Sequence, residues 1–137
     1  MKLVSTTYKV IALRYFEIAE HKVYSDWATE MLIAGFDSEN LGRLAGVEKT
    51  FNEDALSELV RKVLSEFKVE LDDESLAIQC FIRLRIQQLL DNMIELETGL
   101  FSFNKACLKT DYDEELMPFY LLYHAYISLK EEEIQFY

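Results

Sequence analysis

The chain has 137 residues, half of them apolar and 13% aromatic, with four glycines, one proline and a formal net charge of −11. That length fits a single domain spanning 1–137, and the apolar share excludes a disordered composition and supplies material for a core. The longest apolar runs stop well short of the roughly 20 residues of a membrane span, and the start, Met1-Lys2-Leu3-Val4-Ser5, carries no leader-like apolar stretch. The expected location is the cytosol, with no membrane partner.

Apolar residues at three- and four-residue spacings, Val10, Leu13 and Ile18 with the Tyr15-Phe16 pair, predict a first helix over 7–21. Ser25 is placed to cap a second helix over 26–34, which Gly35 would end. Ser38 is placed to cap a short third helix over 39–45, closed by Gly46. Thr50-Phe51-Asn52-Glu53 fits a capping box and starts a fourth helix over about 51–67. Leu56, Leu59, Val60, Val63, Leu64 and Phe67 form its apolar stripe.

Asp72, Asp73 and Glu74 suit a helix start, and a long fifth helix follows to about Glu97, where Thr98-Gly99 would stop it. A shorter helix is expected over 101–109. A last helical region covers 111–133, with Pro118 marking a start, kink or break near its middle. Ile134, Phe136 and Tyr137 stand at its end as candidates to dock. No alternating strand pattern appears, so the expected fold is all-α, a single compact bundle of about six to seven helices.

Catalytic signatures are missing. There is no Glu-x-x-His pair, no Cys-x-x-Cys, no His-Glu-x-x-His, no glycine-rich phosphate loop and no Gly-x-Ser-x-Gly. The acidic clusters also lack the ligand spacing of a calcium loop. Cys80 reads as a core residue, and neither it nor Cys107 has a basic or helix-start setting that would activate a thiol. His124, in Tyr120-Leu121-Leu122-Tyr123-His124-Ala125-Tyr126, reads as a helix flank; a catalytic role would need a polar pocket around it or Cys80. The expectation is a protein that is not an enzyme and needs no metal or cofactor.

Two features point to binding. Residues 28–47 look like a helix-turn-helix, with Glu39–Ala45 as the candidate reading helix. Only Asn40 and Arg43 there suit contacts to bases or phosphates, and Asp37, Glu39 and Glu48 oppose Arg43 and Lys49. DNA affinity draws on cationic phosphate contacts, which this chain lacks, so a tight helical hairpin burying Trp27, Leu32, Leu41 and Leu44 is the better reading.

The second feature is charge. Residues 1–68 carry 9 Lys and Arg against 11 Asp and Glu, whereas residues 69–137 carry 5 against 14. The acid gathers at Glu70, Asp72, Asp73 and Glu74, at Asp111, Asp113, Glu114 and Glu115, and at Glu131, Glu132 and Glu133. Tyr112 lies inside the middle cluster, and Phe119, Tyr120, Tyr123 and Tyr126 follow it. Aromatic anchors beside fixed carboxylates suit a surface for a basic protein, because tyrosines supply area and charge steers encounter. The expected interface is Asp111, Tyr112, Asp113, Glu114, Glu115 and Tyr123, with Glu70, Asp72 and Asp73 as second choices.

The stretch Trp27-Ala28-x-x-Met31-Leu32-x-x-Gly35-x-Asp37-Ser38-x-x-Leu41-x-x-Leu44-Ala45-Gly46, with Leu13-x-Tyr15-Phe16 and Phe119-Tyr120, resembles small helical bacterial immunity proteins carried beside contact-dependent growth-inhibition toxins. The resemblance covers the N-terminal third best. It implies a cytosolic protein that neutralises a cognate toxin, such as a nuclease, by setting carboxylates in the toxin's basic cleft, with no direct nucleic-acid contact. The competing expectations are a helix-turn-helix regulator and a helical adaptor.

Overall fold

In the computed structural model, residues 2–70 and 72–135 are described, with side chains described as far as Glu132. Phe136 and Tyr137, and the side chains of Glu133 and Ile134, lie outside the described residues. The described chain is all-α: α1 (Thr7–Tyr15), α2 (His21–Ile33), α3 (Glu39–Ala45), α4 (Glu53–Glu66), α5 (Glu74–Leu90), α6 (Leu96–Lys109) and α7 (Met117–Gln135). Its contacts cluster into two compact units, Met1–Phe81 and Ile82–Tyr137, with the division falling inside α5.

In the first unit, α2 and α3 form the expected helical hairpin. Ser38 Oγ accepts the Leu41 N–H at 3.0 Å and starts α3, and Gly46 ends it. Trp27, Ala28, Met31, Leu41 and Leu44 are almost fully buried, so Met31 takes the core place expected of Leu32, which is only half-buried. Trp27 Nε1 donates to Thr7 Oγ1 at 3.0 Å, and that hydroxyl donates to Val4 O at 2.7 Å, so the buried indole is satisfied. Asn40, one of the two candidate base readers, donates to Glu66 Oε1 at 2.6 Å. The α4 stripe of Leu56, Leu59, Val60, Val63 and Leu64 is buried as its spacing requires, and Phe67 meets Phe36 edge-on.

Several boundaries differ from expectation, for local reasons. The first helix does not run to His21. Glu17 takes a left-handed φ of 55°, the Ile18 N–H bonds back to Leu13 O at 2.9 Å, and α2 begins at His21. Ser25 therefore lies inside α2 and caps nothing; its hydroxyl donates to Ala45 O at 2.7 Å and ties α2 to the end of α3. Asn52, not Thr50, caps α4, accepting the N–H groups of Asp54 and Ala55. Asp73 Oδ1 accepts the Leu76 N–H at 3.0 Å, so the expected acidic start of α5 stands.

The same helix stop recurs along the chain. α2 ends through Gly35, with the Phe36 N–H bonded to Met31 O, and α4, α5 and α6 end with the equivalent bonds Val69 to Leu64, Met93 to Gln88 and Tyr112 to Cys107. A backward bond of this span closes a helix only with a left-handed residue just before it. Besides Gly35, the chain fills that position with Glu17, Lys68, Asn92 and Asp111.

In the second unit, α5 stops at Leu90, before the expected Glu97, and Thr98-Gly99 lies inside α6. Gly99 has a packing role: a Cβ there would stand 2.8 Å from Leu89 Cδ2 and 3.1 Å from its Cγ. Arg85 and Gln88 are buried together, with Nη1 donating to Oε1 at 2.7 Å. α6 and α7 pack side by side. Leu100, Phe103, Ala106 and Cys107 are buried from α6, and Phe103 stacks on Phe119 at 4.2 Å between centroids. Pro118 occupies the first turn of α7, where its missing N–H costs no helical bond, so it marks a start and not a mid-helix break.

Candidate functional site

The turn between α6 and α7 carries the middle acidic cluster. Asp111 and Tyr112 both adopt left-handed backbone, with φ of 55° and 62°. That geometry turns the chain sharply and leaves Tyr112 half exposed. Asp113 then holds the next turn: its Oδ1 accepts the Glu115 N–H at 2.9 Å, and its carbonyl accepts from Leu116 and Met117. Glu114 and Glu115 are exposed beside it. Of the four carboxylates in this cluster, Asp113 has a structural task, whereas no side-chain bond is seen for Glu114 and Glu115.

The two expected tyrosine anchors do not touch each other. A chain of rings links them. Tyr112 meets Tyr120 edge-on at 5.6 Å, Tyr120 meets His124 at 4.5 Å, His124 meets Tyr123 at 5.3 Å, and Tyr123 meets Phe101 at 5.6 Å. Lys105 Nζ sits 5.1 Å from the Phe101 ring centre. His124 Nε2 lies 3.0 Å from Asn104 Oδ1, which fixes the imidazole on the α6–α7 seam. Sequence reasoning missed Tyr120, His124 and Phe101 as members of this ribbon. The i, i+3 and i, i+4 spacing of Tyr120, Tyr123 and His124 carried the signal for part of it.

Glu70, Asp72 and Asp73 fall in the first unit, whereas residues 111–115 fall in the second. The first group is occupied locally: Glu70 Oε1 accepts the Asp72 N–H at 3.2 Å, Asp73 caps α5, and Glu74 accepts the Tyr15 hydroxyl at 2.6 Å. That bond, more than burial, pushes the Tyr15 phenol up to about 12. Divided along the structural units, the charge is nearly even: −6 over residues 1–81 and −5 over 82–137. The imbalance between sequence halves therefore does not by itself mark one unit.

Exposed apolar surface does. Ten of the twelve exposed large hydrophobics among the described residues belong to residues 82–137. They include Leu90, Met93, Leu96, Leu108, Leu121, Leu122 and Leu129, each at least half exposed. Acid and apolar surface coincide on the second unit, and monomeric proteins rarely leave contiguous apolar patches open without a use.

The first unit has a cavity of about 340 Å³ lined by Arg14, Tyr24, Glu53, Asp54 and Ser57 among others. Arg14 Nε is buried there without an acceptor. Three carboxylates, Glu17, Glu53 and Asp54, share the lining, so their negative charge disfavours an anionic ligand. Neither His124 nor Cys80 lines it. Both cysteines are buried, and burial, then the Asp113 carboxylate, push the Cys107 thiol up, away from the activated range.

Among the described residues, no helix is long and apolar enough to cross a membrane. No family model, curated protein or solved structure matches this chain.

Proposed function

We propose that this chain is a binding protein of the immunity type, which captures a basic protein toxin in the cytosol and blocks it by occupying its cleft. A nuclease is the toxin class that fits best, because its cleft must attract phosphates and would attract carboxylates equally. The chain contributes no chemistry of its own in this reading. Its surface supplies complementarity: Tyr112, Tyr120 and Tyr123 as anchors of low conformational entropy, and Asp111, Glu114 and Glu115 as steering charge.

The observation that carries the proposal is the coincidence on residues 82–137 of exposed apolar side chains with an ordered acidic turn. The likeness of the Trp27–Gly46 stretch to immunity proteins supports it from the sequence side. A growth assay tests it. Expression of the polypeptide encoded immediately upstream of this gene should arrest growth, and co-expression of this chain should restore it. Glu114→Lys with Glu115→Lys should weaken the rescue. A toxic neighbour that this chain leaves unopposed would defeat the proposal.

A further inference from the structure

α7 is apolar on two sides, and one of them is partly covered within its unit while the other is open. Phe119, Tyr120, Tyr123, Tyr126 and Ile127 are half-buried. Phe119 and Tyr123 meet Phe103 and Phe101 of α6, and Lys130 on the same side pairs with Glu97 at 2.8 Å. The other side presents Pro118, Leu121, Leu122, Ala125 and Leu129, all exposed. At 100° per residue these five fall within about a 100° arc, the width of a helix face made to be buried. The stripe runs about 17 Å along the axis.

Both ends of the stripe are acidic. Glu114 and Glu115 precede α7, and Glu131 and Glu132, both exposed, close the described side chains at its far end. Glu132 continues the stripe itself, three residues beyond Leu129, whereas Glu131 falls about 130° from the centre of the arc. No basic residue occupies the last turn. Carboxylates at a helix C-terminus add to the negative end of the macrodipole, which is unfavourable until a cation arrives.

We infer that the exposed stripe of α7, Leu121, Leu122, Ala125 and Leu129 between acidic ends, is a docking face for an amphipathic helix of another protein that carries Lys or Arg at the flanks of its apolar side. This rests on the reading of the 82–137 unit as a surface for a basic protein, but not on that protein being a toxin. Charge complementarity selects the occupant. A second copy of the chain would bring acid against acid at both ends of the stripe, with −11 on each molecule. An anionic lipid surface would be repelled by the same carboxylates. A helix with leucines at i, i+3, i+4 and i+7 fits the apolar arc, and its cations would meet Glu114, Glu115 and Glu132.

The test uses the full chain and three fluorescein-labelled synthetic helices of about four turns. One has a leucine stripe with Lys and Arg flanks, one has the same stripe with Glu flanks, and one has the basic composition with the stripe scrambled. Anisotropy should show binding of the first, weakening as salt rises, and at least tenfold weaker binding of the other two. Leu122→Ser with Leu129→Ser should weaken the first peptide at least tenfold while leaving the helical circular dichroism unchanged. Glu132→Lys should weaken it and strengthen the Glu-flanked peptide.

Equal binding of the striped and scrambled basic peptides would overturn the inference, because charge alone would then be acting. So would unchanged binding by the double serine variant. A chain dimer that the double serine variant dissolves would also overturn it, since the occupant would be a second copy. Failure here is separable from failure of the function. If the upstream polypeptide binds the double serine variant normally, the stripe is wrong and the neutralising reading stands. If the peptide binds and that polypeptide does not, the reverse holds.

Discussion

Replacing Gly99 with alanine is expected to give a less stable protein than the same change at Gly42, which is expected to stabilise it. Both glycines lie within helices and neither has positive φ, so each alanine gains about 1 kcal/mol of helix propensity. Their surroundings differ. A Cβ at Gly42 meets nothing within 4 Å, and the gain is kept. At Gly99 it lands 2.8 Å from Leu89 Cδ2 and 3.1 Å from both Cδ1 and Cγ. Carbon pairs prefer about 3.5–4.0 Å, so Leu89 must retreat by roughly 0.5–1 Å. Because Cγ is involved, rotating a methyl group does not relieve the contact, and Leu89 must turn at χ1 or α5 and α6 must separate. Overpacking of this kind costs about 1–3 kcal/mol, which cancels or exceeds the propensity gain. The two variants should therefore differ by about 1–3 kcal/mol, or several degrees in melting temperature for a domain of this size. Urea denaturation followed by circular dichroism measures it. A Gly99→Ala protein as stable as Gly42→Ala would refute the close approach of Leu89 to α6.

Other perturbations probe the site and the helix ends. Asp113→Ala should cost about 1 kcal/mol through loss of the turn that leads into α7, whereas Glu114→Ala should change stability by less than about 0.5 kcal/mol, by the same denaturation assay. Lys68→Gly should stabilise by about 1 kcal/mol, because glycine carries no penalty at the left-handed φ of 57°; a destabilised variant would contradict the assigned stop of α4. Tyr24 is buried, and its hydroxyl donates to Ile18 O at 2.9 Å. Burial holds its phenol well above the ordinary 10.0, with Arg14 pulling it partly back and Glu20 raising it. A raised folded pKa gives stability that is complete below about pH 10 and is lost as the pH climbs toward the folded value. Tyr24→Phe should lose about 1 kcal/mol at neutral pH and show a shallower alkaline loss; an unchanged alkaline profile would remove Tyr24 as its cause.

How much was legible beforehand depended on whether the determining chemistry was local. The start of α3 was, because Ser38 satisfies an N–H three residues on and Gly46 stands at its end. The stripe of α4 was, because its period alone aligns Leu56 with Val60, Val63 and Leu64. The breaks after α1 and α5 were not, because Glu17 and Asn92 fill left-handed positions that glycine usually marks. Gly99 misled for the converse reason: its smallness serves the contact with Leu89, which no window of sequence reveals. The acidic turn at 111–115 could be named from sequence, but the role of Asp113 in holding it could not be separated from that of Glu114. Tyr120 and His124 join the ribbon through spacing along α7 itself, whereas Phe101 joins it only when α6 and α7 pack, which no window of sequence reveals. Dividing the charge at residue 68 put Glu70–Glu74 with the wrong neighbours, because the units divide at residue 81.

Whether residues 82–137 bind a basic protein decides the proposed function. Calorimetry of the full chain with the polypeptide encoded immediately upstream, at low and high salt, tests it most directly. Tight binding that weakens as salt rises is expected, with a further loss on Glu114→Lys and Glu115→Lys at low salt. No heat of binding at low salt and high concentration, or binding indifferent both to salt and to those reversals, would contradict it.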